Sequence, residues 1–162
     1  MKCSRWQWHL DEMFVKINGE RHHLWRAVDH EGEVLESLVT KKRDKKAALK
    51  FLRKTMRKHD YPEMIVTDRL RSYGAALKDL GANHRQETGR WLNNRAATSH
   101  LPFRGRERVK LRFRRMRSLQ KFAVIHASVC NHFNSERSLT SRTIFKLNRA
   151  AALSEWRGLC TA

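Results

Sequence analysis

The sequence predicts an α/β fold with a mixed five-stranded sheet flanked by helices, and three observations lead there. The first forty residues alternate and are punctuated by turns. A four-residue apolar period begins near residue 44. A short continuous apolar run, Met64-Ile65-Val66-Thr67, then follows.

Leu10, Glu12 and Phe14 alternate with Asp11, Met13, Val15 and Ile17 across two strand faces, and Asn18-Gly19 is a hairpin signal because both residues accept positive φ. A second strand over about 23–28 ends at Asp29-His30-Glu31-Gly32. A third over about 34–40 completes three antiparallel strands. Asp44 is placed to cap a helix in which Ala48, Leu52 and Met56 recur, flanked by Leu49 and Phe51, and which stops before Tyr61-Pro62. The apolar run after it suits a strand buried on both faces, with Asp68 at its C-terminal edge. Tyr73, Ala76, Leu77 and Leu80 mark a second helix closing at Gly81, and His84 to Thr88 reads as a last strand. From Asn93 the chain reads as helical. Pro102 is expected to kink or interrupt it, and Leu119, Phe122, Ala123, His126, Val129 and Phe133 form the clearest helical stripe.

Composition narrows the function. The 162 residues hold 35 Lys+Arg against 16 Asp+Glu, a net charge of +19, with 40% hydrophobic residues and 5 Trp. That is enough for one ordinary core, unlike a disordered basic tail. The field attracts polyanions, of which nucleic acids are the commonest inside cells. No run approaches the roughly 18–20 apolar residues of a membrane helix, and Met1-Lys2-Cys3-Ser4-Arg5-Trp6 leads into charged residues, so a soluble intracellular protein is expected. Cys3, Cys130 and Cys160 are scattered and odd in number, so structural disulfides are not expected.

Two of the few carboxylates stand out. Asp11 lies inside the first strand and Asp68 ends the fourth, so a sheet pairing these strands brings both to one edge, where repelling acids invite a divalent cation. Spacing alone favours simpler roles: a turn cap for Asp68 and a solvent-facing Asp11. Between 101 and 121 stand nine Lys/Arg and a single acid, Glu107. On one helix, Val109, Phe113 and Met116 form an apolar stripe, with Lys110, Arg114 and Arg117 on one flank and Arg104, Arg108 and Arg115 on the other. With so few acids near, this set, including Arg106 and Arg112, is expected to bind DNA phosphates without reading bases. His126 and Cys130 sit at i, i+4 near His132, but no second pair completes a zinc site. His22 and His23 face opposite ways in a strand. Trp91 reads as a core anchor.

Several stretches carry a family resemblance. They are Trp8-His9-Leu10-Asp11-Glu12, Val15-Lys16-Ile17-Asn18-Gly19, Trp25-Arg26-Ala27-Val28-Asp29, Thr67-Asp68, Arg90-Trp91 with Asn93-Asn94-Arg95, and Leu111-Arg112-Phe113-Arg114-Arg115-Met116. In this order and spacing, over about residues 6–157, they resemble the bacterial insertion-sequence-six family of DDE transposases. The resemblance implies a ribonuclease-H-like fold. It also implies DNA cleavage and strand transfer with two Mg²⁺ ions, Mn²⁺ being a possible substitute, held by Asp, Asp and Glu. The first two acids fall on Asp11 and Asp68, which would be both catalytic and metal-binding. One ion, about 4 Å from the other, would activate water or a 3′-hydroxyl and the other would stabilise the leaving 3′-oxygen. Transposon ends and target DNA, a homo-oligomer and a bacterial cytoplasmic, nucleoid-associated location are implied as well.

The chain departs from the family pattern at the third acid. The motif Asn-Asn-Arg, any residue, Glu ends here on Ala97. Glu107 lies roughly 15 Å further along a helix, and Glu87 precedes it. His100 brings an imidazole where Mg²⁺ prefers anionic oxygen. Arg69, where Gly or Lys is common, could pair with Asp68 and compete with metal. The chain starts ten residues before Asp11, without the family's N-terminal helix-turn-helix. The expectation is a single catalytic domain over 1–162, basic and helical from about 101 to 162. It would come from a truncated or decayed element and be inactive or nearly so. The alternatives are a non-catalytic nucleic-acid-binding remnant of the same fold and, on charge alone, a ribosomal-type RNA binder.

Overall fold

The computed structural model describes residues 6–89, 92–110, 113–133 and 141–161, the side chains at 95, 97, 109 and 110 excepted. Strand β1 (Gln7–Ile17) turns through Asn18 and Gly19, at φ of 50° and 81°, into β2 (Glu20–Asp29). This is the left-handed backbone that a two-residue hairpin requires. At the next turn the Asp29 carboxylate accepts the N–H groups of Glu31 and Glu33, both at 2.9 Å, before β3 (Val34–Thr40). Helix α1 (Lys45–His59) follows, β4 (Met64–Thr67) returns to the sheet, and α2 (Arg71–Asp79) leads through a 3₁₀ turn (Asn83–Arg85) to β5 (Gln86–Thr88). The sheet order is β3-β2-β1-β4-β5, with the first three strands antiparallel and β1, β4 and β5 parallel. This is the ribonuclease-H-like arrangement that the resemblance implies.

Both faces are covered. On one, Phe51, Leu52 and Met56 of α1 and Tyr73, Ala76 and Leu77 of α2 pack on Trp8, Leu10, Trp25 and Ala27. On the other, Phe103 of α3 (Asn94–Lys110) and Leu119 and Ala123 of α4 (Met116–His132) pack on Met13, Val15, Leu24 and Val39. Edge strand β3 is closed by α4. Gln120 bonds Val39 N and Ser37 O, and Asn131 bonds Val34 N and O, so side-chain amides take groups that would otherwise template another strand. Beyond the ends of α4, α5 (Arg142–Thr161) rests through Trp156 on His132 and Phe133.

Asp44 caps α1 as expected: its Oδ1 accepts from Ala47 N at 2.8 Å. Asp44→Ala is expected to cost about 1 kcal/mol, read as a lower urea midpoint at unchanged slope.

Two expectations are corrected. Pro102 does not interrupt α3. Pro102 removes a single helix donor, opposite the exposed residue Thr98, while buried Phe103 and the Arg26 bond to the Ser99 carbonyl hold the helix to the sheet. Nor do residues 104–117 form one helix. α3 ends at Lys110 and α4 begins at Met116. Between them Phe113 is buried and bridges Ile17 at the end of β1, so core packing breaks the supposed stripe. Trp91, Arg90, Leu111, Arg112 and Cys3 lie outside the described residues. Among those described, no helix is long and apolar enough to cross a membrane.

Candidate metal centre

The site follows from the register of two parallel strands. Gln7, Trp8 and His9 of β1 lie beside Met64, Ile65 and Val66 of β4. Two residues further on, that register sets Asp68 beside Asp11. Because β4 ends at Thr67, the Leu10 carbonyl lies beyond the paired segment and accepts from Asn93 Nδ2 at 2.7 Å, tying the start of α3 to β1. In this gap the carboxyl groups of Asp11, Glu12 and Asp68 meet, with one oxygen from each within 4.8 Å of the others.

Local bonds orient the acids. Asp11 Oδ1 accepts from Glu12 N at 2.8 Å, and Asp68 Oδ1 accepts from Leu70 N at 3.0 Å. Asp68 therefore caps its turn and also faces the cluster. Glu12 pairs with Arg43 in the β3–α1 connection, yet its side chain is only 4% exposed and its Oε2 is buried with no hydrogen-bond partner among the described residues. Burial, and next the charge of Asp68 working against the Glu12 N–H bond, lift the Asp11 carboxyl to about 6. Burial and Asp68 lift Glu12 to about 7, against the pull of Arg43. Three acids in a partly dry recess, one oxygen of them unpaired, form an all-oxygen donor set of the kind hard divalent cations take. The residues present therefore fit such an ion.

His100 approaches from α3, its Nδ1 3.6 Å from Asp11 Oδ2. This is not an ion pair, because burial, followed by the charges of Arg26 and Arg104, pushes the imidazole down to about 3 and leaves the ring neutral. Ala97 lies one turn earlier, at the start of the same helix. Arg69 is exposed and lines a recess beside the cluster with Asp68, Gly89 and Asn93, but among the described residues it forms no ion pair with Asp68.

The basic set divides. Arg106, Arg108, Arg114, Arg115 and Arg117 are exposed. Arg104 is half-buried and engaged internally, bonding Glu107 at 2.8 Å and the Phe14 carbonyl at 2.7 Å. Arg112 and the side chain of Lys110 lie outside the described residues.

Sequence reasoning passed over Glu12 and Arg26. Strict alternation sends Glu12 to the face opposite Asp11, but where β4 stops, both faces open on one gap. Arg26 stands opposite Asp11 in β2 and is almost wholly buried, its Nη1 donating to the Ser99 carbonyl at 2.9 Å and its guanidinium carbon 5.8 Å from the centre of the Phe103 ring. Burial pushes its pKa down to about 10.

Residues 5–136 match the family described as the DDE domain. Transposases of the insertion sequence-like element IS431mec from Staphylococcus aureus are 28% identical over 104 residues, covering 61% of this chain and 46% of theirs. The chain thus spans about half the length of these curated relatives. A Yersinia pseudotuberculosis protein of uncharacterised function is 32% identical over 76 residues, covering 45% of this chain and 71% of that one. Among solved structures, the simian T-cell lymphotropic virus intasome bound to a PP2A regulatory subunit includes a chain similar over 63% of this one and 38% of its own, at 20% identity and a TM-score of 0.49. Matched along most of its length, and carrying the sheet order that the resemblance implied, the chain belongs to the DDE-domain transposases of bacterial insertion sequences, of the insertion-sequence-six type.

Proposed function

We propose that this domain acts on the phosphodiester backbone of DNA, with Asp11, Asp68 and Glu12 holding a divalent cation, and that its catalysis is strongly reduced by alanine at position 97. The observation that carries the reading is the convergence of the three carboxyl groups at the end of β4. Mg²⁺, or Mn²⁺ in its place, would supply positive charge to the phosphodiester oxygens during in-line displacement. The chain's own part is preorganisation. Backbone N–H groups fix Asp11 and Asp68, and Arg43 restrains Glu12. The neutral His100 ring adds no anion on the α3 side, where the family pattern has its glutamate. Arg106 and Arg108 lie on the same helix as His100 and are exposed, suited to hold a strand by its phosphates. On this reading the protein works in the bacterial cytoplasm, at the nucleoid, on element ends and target DNA and as an oligomer, with the basic helical part from about 101 onward serving the DNA.

The test is Mn²⁺- or Mg²⁺-dependent nicking of a supercoiled plasmid that carries element ends. Weak metal-dependent nicking by the unmodified protein, lowered at least about 10-fold by Asp11→Asn or by Asp68→Asn, is expected. Vigorous nicking without substitution would refute the impairment. Nicking that ignores both substitutions would refute the site.

A further inference from the structure

Helix α1 presents a second charged surface, on the side away from its packed face. Ala47, Ala48, Phe51, Leu52, Thr55 and Met56 are buried. Lys46, Lys50, Arg53, Lys54, Arg57 and Lys58 recur at three- and four-residue intervals and are all exposed. With Lys42 they line a groove of about 1280 Å³ that α1 forms along edge strand β3, with Val124 of α4 on the far side. Seven cations and two carboxylates, Glu36 and Asp44, lie along it. Buried Glu36 pairs with Lys54, at 3.2 Å, and Lys58, at 3.6 Å, and also accepts from Ser37 N at 3.0 Å. Lys42, Lys46, Lys50, Arg53 and Arg57 have no ion-pair partner among the described residues.

We infer that this groove binds the sugar–phosphate backbone of duplex DNA outside the carboxylate site. The inference rests on the DNA-acting reading above and adds a surface to it. Charge complementarity is the first argument. From Lys46 to Lys58 the ladder runs about 18 Å, a length over which one strand of B-DNA presents about five phosphates. An ordinary solvated helix face interleaves acids with its bases, whereas α1 itself carries no acid from Lys45 to His59. Continuity is the second argument. The groove begins at Lys42 and Asp44, and between them Arg43 reaches into the carboxylate cluster to pair with Glu12. A duplex engaged at the cluster thus has a cationic track leading off along α1, on the opposite sheet face from Arg106 and Arg108.

Fluorescence anisotropy with a labelled duplex, in chelator and over a range of salt, tests this without needing catalysis. The variant is Lys46→Gln/Lys50→Gln/Arg53→Gln, which spares Lys54, Lys58 and Arg43. Its rescue control is Lys46→Arg/Lys50→Arg, and thermal melts check that both fold. The expected result is affinity about 10-fold or more weaker, with the slope of log K against log salt shallower by about 2 to 3, and near-normal binding in the control. Unchanged affinity and slope in a protein that binds duplex DNA would overturn the groove and leave the DNA-acting reading standing. No duplex binding by the unmodified protein would overturn both. Polyglutamate forms the last arm: if its binding, and not that of DNA, is lost in the variant, the groove serves an acidic protein and the inference falls.

Discussion

Ala97→Glu is expected to raise metal-dependent nicking by about 10²-fold or more, the scale on which single groups that stabilise developing charge act. Position 97 lies between two anchors. Asn93 ties the chain just before α3 to the Leu10 carbonyl, and His100, one turn further along α3, already approaches Asp11. Residues three apart on a helix are surface neighbours, so a carboxylate at 97 is carried to the side of the cluster that His100 faces. The exchange is mild for the fold. Glu gives up only tenths of a kcal/mol of helix propensity relative to Ala, and an acid in the first turn of α3, which has none, is favoured there by the helix dipole. Calorimetric titration with Mn²⁺ is a readout independent of turnover and should show tighter or additional binding. Ala97→Gln, of similar size without the charge, should do neither. Equal activity in the unmodified chain and the glutamate variant would remove position 97 from the account.

What the sequence revealed and what it hid divide along physical lines. The meander, α1 and its cap, the buried strand and the closure of α2 at Gly81 were legible because each depends on local pattern: period two, period four, Asn-Gly, Asp before a helix. The meeting of Asp11 with Asp68 needed one further step, the pairing of the first and fourth strands. Glu12 was hidden because alternation describes a strand paired on both sides, whereas β1 outruns β4 just where Glu12 stands. Arg26 was hidden because nothing in a basic sequence marks which arginine is buried. It shows only once the carbonyl of Ser99, 73 residues away, lies beside it. The basic run misled for a related reason. Its helical period counted Phe113 into one continuous stripe, whereas the core cluster around Val15 and Leu24 draws that residue in, ending one helix before the next. The cations of α1 repeat as regularly as its apolar residues, but the period alone does not show that the helix forms a groove along edge strand β3.

In chelator, stability is expected to fall as pH rises from about 4 to about 7, and a divalent cation should reverse that fall at the upper end. Asp11 and Glu12 are carboxyls whose folded values, about 6 and about 7, lie above their ordinary ones. Well below the ordinary values of 3.8 and 4.5, both are protonated in the folded and the unfolded chain, and the stability associated with the neutral form is fully present. As pH rises, the unfolded chain ionises first, while the folded chain keeps its protons until about 6 and then about 7. Over that window the folded state binds more protons, so each increment of pH favours unfolding. At roughly 1.4 kcal/mol for each tenfold gain in proton affinity on folding, the two groups together set a ceiling of several kcal/mol, a large share of an ordinary domain's margin. Millimolar Mn²⁺ should therefore raise the melting temperature clearly at pH 7.5 and hardly at pH 4.5. Asp68→Asn separates repulsion from metal binding, because an asparagine oxygen can still accept from Leu70 N while the charge raising both neighbours is gone. In chelator at pH 7.5 it should melt about 3 °C higher than the unmodified protein, the change that about 1 kcal/mol produces in a chain of this size, and it should lose most of the response to Mn²⁺. A melting temperature flat across the window, with no response to the ion, would mean that the three carboxyl groups do not share one recess in solution.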